Sequence, residues 1–413
     1  MMTGTLTING RDYPWPKRPA VVICLDGCEP EYLDRAMEAG LMPNLSRMIA
    51  NGSRAEALSA MPSFTNPNNM SIATGRPPAI HGICGNYFLN PETGEEVMMN
   101  DARFLRAPTI FAGFFDAGAR VAIVTAKDKL RALLGTGLGF DDGRAICFSA
   151  EKADLTTQAD HGVEAASDWL GLPVPEVYSA ALSEFVFAAG VRLLTEFRPD
   201  LMYLTTTDFI QHKYPPGHDV ANAFYASFDR YLPGLEATGA AIVITADHGM
   251  KAKHHPDGRP AVIYLQEMLD DWLEAGAARV ILPITDPYVV HHGAFGAFAT
   301  VYLSDPIQAT EIAARARDLD GIDDVLTRHE AEARFELPGD RIGDLVATSV
   351  AGRAIGTREA EHDLSALDAP LRSHGGRQEQ SVPFISNAPI GPHPEGLRNF
   401  DAFHVALTAA SKG

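Results

Sequence analysis

The chain has 413 residues, 46% of them hydrophobic and 21% charged, a globular balance that excludes a disordered or fibrous protein and leaves room for two or three folding units. With 34 Lys and Arg against 53 Asp and Glu, its formal net charge is −19. That surplus argues against nucleic acid or an anionic membrane as partner, because polyanions are held by Lys/Arg stripes and none is seen.

The first 18 residues are polar and lack the apolar core of a signal peptide. No run approaches the roughly 20 apolar residues that cross a bilayer. The cysteines Cys24, Cys28, Cys84 and Cys147 are too sparse for a disulfide framework. Together these features predict a reduced, soluble, cytoplasmic protein.

Short apolar runs alternate with helical patterns along the chain. Val21–Leu25 reads as the first strand. Pro67 and Gly75 suit the first turn and the end of a helix. A helical stretch at Ile110–Ala119 precedes a strand at Val121–Thr125. Ala181–Phe197 precedes Leu201–Thr205 in the same way, and Phe224–Leu235 precedes Ala241–Thr245. Continuous apolar strands separated by helices predict an α/β fold with a mostly parallel sheet sandwiched by helices.

Residues 259–353 read differently. A helix is predicted at Val262–Gly276 and another at Pro306–Ala316. Short strands are predicted at Arg279–Ile284, Ala299–Leu303, Asp324–Leu326 and Asp344–Ser349. This reads as a small α+β cap insertion. It divides the catalytic core into residues 1–258 and 354–413, and the tail after Gln380 reads as turn-rich.

Ligands of such sheets sit beyond the carboxyl ends of the strands. Those ends carry Asp26, then Thr125, Lys127 and Lys129, then Asp208 and His212, then Asp247 and His248. Asp208 and His212 are four apart, so on a helical turn they share one face and can share a metal. Asp247 and His248 follow a strand, so their side chains are expected on different sides. His374 stands in a flexible Gly context. Imidazole with carboxylate suits zinc, with manganese or iron as alternatives. His254, His255, His291 and His292 fall in or beside the insertion and are weaker ligand candidates. His81 reads as a loop support, and His218 is expected close to the site.

Thr65 lies where the Pro67–Gly75 helix begins. Amide groups and the helix dipole there favour an anion, and a metal-bound hydroxyl could attack phosphorus. The plainer alternative is that Thr65 only caps the helix, and Ser63 is a competing hydroxyl further from the helix start. Lys127 and Lys129, two apart at a strand end, are expected to point to one side.

Asp26, the Thr65 segment, the Gly75–Asn86 stretch, Asp208-xxx-His212, Asp247-His248-Gly249 and His374 resemble the alkaline phosphatase superfamily, and its nucleotide pyrophosphatase/phosphodiesterase branch most closely. The finer likeness is to members that cleave phosphonoacetate. It rests on Thr65-Asn-Pro-Asn-Asn, Asn86-Tyr-Phe and Thr125-Ala-Lys127-Asp-Lys129.

The resemblance implies two metal ions. One would be held by Asp208, His212 and His374, the other by Asp26, Asp247, His248 and the Thr65 hydroxyl. It further implies Thr65 as nucleophile and Asn86 as donor to a phosphoryl oxygen. The implied reaction splits the C–P bond of phosphonoacetate into acetate and phosphate. Lys127 and Lys129, with His212 nearby, would hold the substrate carboxylate.

The implied partner is a small anionic phosphonate. A homodimer is compatible with the sequence. The competing readings are a phosphodiesterase or nucleotide pyrophosphatase on the same metal core, and a non-enzymatic, metal-stabilised binding protein.

Overall fold

The computed structural model describes residues 4–90, 92–284, 294–365, 367–393 and 395–412. Eleven strands matter for the site. In chain order these are β1 (Ala20–Cys24), β2 (Ser53–Leu58), β3 (Val121–Thr125), β4 (Ala145–Ser149), β5 (Leu201–Thr205), β6 (Ala241–Thr245), β7 (Ala278–Ile281), β8 (Phe298–Leu303), β9 (Ile322–Thr327), β10 (Leu345–Ser349) and β11 (Ser381–Ser386). The helices around them include α1 (Thr65–Thr74), α2 (Asp128–Leu134), α3 (Ala181–Glu196), α4 (Phe209–Lys213), α5 (Asp219–Glu236) and α6 (Ala402–Ser411).

The main sheet has seven strands in the order β2-β11-β6-β1-β5-β3-β4. From β6 to β4 the pairing is parallel, whereas β11 runs antiparallel to both β6 and β2. The parallel strands are apolar from end to end, and all five residues of each are buried. A strand buried along its whole length needs cover on both faces, and short β-branched runs such as Val21-Val22-Ile23 suit that position. Helix α6 packs on β6 and β1, while α3 packs on β5 and β3 and receives α5.

Two readings of the sequence are corrected here. The tail after Gln380 is not only turns: it returns as β11 inside the main sheet and ends in α6. Val262–Gly276 is not one helix. Val262–Tyr264 is a strand paired with Ala354–Gly356, and the helix that follows spans only Leu265–Asp270.

Between residues 278 and 349 a second sheet forms in the order β7-β8-β10-β9, antiparallel throughout. Helices at Ala309–Arg317 and Arg328–Phe335 pack against it. Its Phe298 ring sits edge-on to Phe64, the residue just before α1, at 6.2 Å. Among the described residues no helix is long and apolar enough to cross a membrane.

Candidate active site

The four strands that end in acids, histidines or lysines are neighbours, in the order β6-β1-β5-β3. Their ends are flush, since Thr245 pairs with Cys24, Cys24 with Thr205, and Thr125 with Thr205. Residues that follow different strands therefore emerge side by side. Gly27, just after Asp26, has φ +71, and a Cβ there would come within 2.8 Å of the Asp208 Cβ. That close approach excludes a side chain and lets the β1 and β5 ends converge.

His374 arrives by another route. Arg372–Ser373 pairs antiparallel with Lys251–Ala252, just downstream of His248. The His248 and His374 rings stack with centroids 3.6 Å apart and an interplanar angle of 6°. Gly375 follows with φ +116, and a Cβ there would lie 2.2 Å from the Phe64 ring.

Two groups of side chains result. Asp208 Oδ2 is 3.0 Å from His212 Nε2 and 3.6 Å from His374 Nε2. Asp26 Oδ1 is 3.2 Å from His248 Nε2, and Asp247 Oδ2 is 3.8 Å from the same nitrogen. Asp208–His212–His374 and Asp26–Asp208–His248 each bring their ligand atoms within 4.8 Å of one another, with every member buried. Asp247 and His248 thus converge instead of pointing apart. β6 ends at Thr245, so strand alternation no longer governs residues 247 and 248.

The histidines are preset for a cation. Nδ1 of His212 lies 2.8 Å from the Arg372 carbonyl, Nδ1 of His374 lies 2.8 Å from the Ser63 carbonyl, and Nδ1 of His248 lies 2.9 Å from the Gly249 carbonyl. A carbonyl only accepts, so each Nδ1 carries the hydrogen and a neutral ring turns an Nε2 lone pair to the site. Asp26 Oδ1 is buried without a hydrogen-bond donor. Its neighbour at 3.2 Å is Nε2 of His248, and two groups that would both accept are reconciled by positive charge between them, a proton in the metal-free site or a metal ion.

The charge balance points the same way. Burial, then Asp208 and Asp247, push the Asp26 carboxyl well above its ordinary value. Burial would raise Asp208 too, but His212, His374 and His248 hold it well below the usual carboxylate range. Burial lowers His248, yet Asp247, Asp26 and Asp208 outweigh it and bring it up to about 10, so without a metal its Nε2 holds a proton against Asp26 in the place a metal cation would take. Burial and His248 keep His374 neutral. The cluster favours positive charge among these atoms, and its imidazole and carboxylate donors fit zinc-type ions.

Thr65 opens α1, and Phe64 before it is extended and provides no side-chain cap. The Thr65 hydroxyl lies 3.4 Å from His248 Nε2. Ser63 is not free to compete, because its hydroxyl donates to the Gly376 carbonyl at 2.7 Å. The Asn66 amide donates to Asn86 Oδ1 at 2.9 Å. That bond fixes which end of the Asn86 amide is oxygen and leaves Nδ2 for the cavity.

Asp26, Thr65, Asn86, Lys127, Lys129, Thr206, Thr207, Asp208, His212, Ile284 and His374 line one small cavity of about 50 Å³. Both lysines reach it, but not by strand alternation. β3 ends at Thr125, Lys127 immediately precedes α2 and Lys129 lies in its first turn. Sequence reasoning passed over Thr206, Thr207 and Ile284. The Thr206 hydroxyl accepts from the Asp26 amide at 2.9 Å and so tethers that acid. The signal available was three threonines running into Asp208 at a strand end.

Other histidines lie elsewhere. His218 is an exposed cap whose ring accepts from the Val220 amide, and it does not line the cavity. His81 is buried, accepts from the Ile83 amide at 3.2 Å and reaches the Ser71 hydroxyl at 2.9 Å, as expected for a loop support. His254 is engaged with the His255 carbonyl at 2.8 Å. His291 and His292 lie outside the described residues.

Residues 20–377 match the model of the type I phosphodiesterase / nucleotide pyrophosphatase family. The chain belongs to this family. It is a branch of the alkaline phosphatase superfamily, a group of metal-dependent hydrolases, and the fold is the alkaline phosphatase-like α/β fold. A crystal structure of phosphonoacetate hydrolase from Sinorhizobium meliloti 1021 in complex with phosphonoacetate is 66% identical, with a TM-score of 0.96, over 99% of this chain and 100% of that one. The same enzyme in complex with phosphonoformate gives the same values.

Murine ectonucleotide pyrophosphatase/phosphodiesterase 5 is 17% identical with a TM-score of 0.63, over 95% of this chain and 94% of that one, and shares the fold. An uncharacterized pyrophosphatase/phosphodiesterase of Schizosaccharomyces pombe is 24% identical over 278 residues, 64% of this chain. The match spans 50% of that protein's own length.

Proposed function

We propose that the protein hydrolyses phosphonoacetate to acetate and phosphate, with two zinc ions as cofactors and Thr65 as nucleophile. The observation that carries this reading is the set of side chains gathered in one cavity. It holds a helix-terminal hydroxyl and a buried acid–histidine cluster together with two lysines. The 66% identical enzyme solved with phosphonoacetate supports the same substrate class.

Asp208, His212 and His374 would hold one ion, and Asp26, Asp247, His248 and the Thr65 hydroxyl the other. When bound, such ions supply Lewis-acid stabilisation of phosphoryl oxygens and lower the pKa of a coordinated hydroxyl or water. Asn86 Nδ2 donates to a phosphoryl oxygen. Thr65 Oγ1 forms the new bond to phosphorus as the P–C bond breaks. The departing electron pair passes into the CH₂ group and its carboxylate as an enediolate. Lys127 and Lys129 hold that carboxylate and stabilise the charge developing on it, and the carbon takes up one proton, balancing the one the Thr65 hydroxyl gives up, to leave acetate. Water then cleaves the phosphothreonine to release phosphate and restore the hydroxyl.

Ile284, from the loop after β7, forms one wall, so the segment 259–353 serves as a cap over the pocket. Two lysines in the same cavity as Thr65 suit a substrate that carries a carboxylate beside its phosphoryl group better than a plain phosphate diester. The test is phosphate release from phosphonoacetate, a phosphate diester and an aryl phosphate ester under identical conditions. A clear preference for phosphonoacetate is expected, and preference for the diester would overturn the assignment.

A further inference from the structure

Asn69 lies on α1 one turn after Thr65 and is completely buried. Its amide group donates to the Thr65 carbonyl and to Asp247 Oδ2, each at 3.0 Å. Its oxygen accepts from the Tyr203 hydroxyl at 2.7 Å and the Thr205 hydroxyl at 3.0 Å, both on β5. All four hydrogen-bonding positions of one side-chain amide are thus filled. Its partners are the residue that starts α1, an acid after β6 and two hydroxyls of β5.

Asp247 has no comparable freedom. Its Oδ1 accepts from the Gly27 amide at 3.3 Å and the His248 amide at 3.1 Å. With Asn69 on Oδ2, both oxygens are held and the plane of the carboxylate is set. The buried Asn69 could have been any small apolar residue if it only filled space. An amide whose every position is used, one of them on a carboxylate beside His248 Nε2, is a device for orienting that carboxylate.

We infer that Asn69 is a positioning residue. It locks Asp247 in the orientation needed to ligate the metal beside His248 and ties that orientation to the start of the Thr65 helix. Tyr203 and Thr205 fix the orientation of Asn69 in turn. The inference rests on the two-metal reading above. Partners that orient a metal ligand are worth about 10- to 100-fold in metal affinity.

The experiment titrates the full-length protein with Zn²⁺ against a chromogenic chelator, comparing wild type with Asn69→Ala and Tyr203→Phe. The expected result is that the wild type takes up two ions. In Asn69→Ala one of the two binds about 10- to 100-fold more weakly, while the ion that His374→Ala removes is unaffected. Tyr203→Phe, which deletes only the hydroxyl behind Asn69, should weaken the same ion by a smaller factor, and it decides the matter if Asn69→Ala does not fold. Both ions unchanged, or both weakened equally, overturns the inference while leaving the function intact. A wild-type chain that takes up fewer than two ions overturns the function reading, and the inference with it.

Discussion

Asn86 allows activity and stability to be separated. Its Oδ1 accepts from the Asn66 amide at 2.9 Å, and in the proposed reaction its Nδ2 donates to the substrate. Asn86→Asp keeps the first role and inverts the second. It removes a hydrogen bond to a charged oxygen, about 1.5–3 kcal/mol. It also sets two like charges about 4 Å apart, which at an effective dielectric near 20 costs about 4 kcal/mol. Together these amount to about 6 kcal/mol, or on the order of 10⁴-fold in kcat/KM, less whatever neighbouring cations screen.

Asn86→Ala loses only the donor, on the order of 10- to 100-fold. It does, however, leave the buried Asn66 N–H without a partner, which costs about 1–3 kcal/mol of stability. The two variants should therefore rank in opposite orders. Asp is the less active and Ala the less stable, by phosphate release from phosphonoacetate above about pH 6, where an Asp is ionised, and by thermal unfolding. An Asp variant as active as the Ala variant, or equal loss of stability in both, would refute the reasoning.

Thr65→Ala should abolish turnover while the unfolding temperature stays close to wild type; near-wild-type phosphate release would remove Thr65 from its role. Lys127→Ala and Lys129→Ala should each cost at least about tenfold more on phosphonoacetate than on an aryl phosphate ester, because only the former presents a carboxylate for a charge-assisted bond; equal losses on both substrates would exclude carboxylate binding. Exhaustive chelation should silence the enzyme and Zn²⁺ should restore it, so activity that survives chelation would contradict the metal reading. Burial lowers His81 to about 3, so the folded chain keeps it neutral while an unfolded one takes up a proton near pH 6.5. This contribution to stability is whole above pH 6.5 and is lost as pH falls toward 3, by up to about 1.4 kcal/mol per pH unit. His81→Gln should flatten that part of the unfolding profile, and an unchanged slope would show that His81 does not carry it.

The site was legible because each acid follows a strand whose apolar run has no other reading. Asp26, Asp208 and Asp247 stand just beyond β1, β5 and β6, and those strands are neighbours. What hid were elements whose local preferences oppose their place in the fold. Ser53–Leu58 reads Ser-Arg-Ala-Glu-Ala-Leu, mostly good helix formers on an exposed edge, and is a strand because β11 pairs with it. β11 itself contains Pro383, which argues against a strand in sequence terms yet sits in register with Glu56. Period-two reasoning misplaces Asp247 and His248, and it gives the wrong reason for Lys127 and Lys129, which do reach one cavity. Period-two reasoning was carried past the last residue of a strand, where the backbone had already turned. Asn69 gave no signal because its role depends on contacts with Tyr203, Thr205 and Asp247, between 134 and 178 residues away.

Net charge is a poor guide to what such a pocket accepts. The chain is acidic by 19 charges, yet Asp26, Asp208 and Asp247 are part of that surplus and are buried where they raise each other's affinity for a cation. The two dications proposed for the site would, against three carboxylates, leave one positive charge in excess before Lys127 and Lys129 are counted. On the function proposed above, acids that add to the overall negative charge would thus build a cationic interior suited to a small anion. This separation has a measurable consequence. Added salt should leave the Asn86→Asp penalty largely intact, because buried charges are screened far less than exposed ones. If rising ionic strength erased that penalty, the phosphoryl group would have to bind at the open surface and not among these residues.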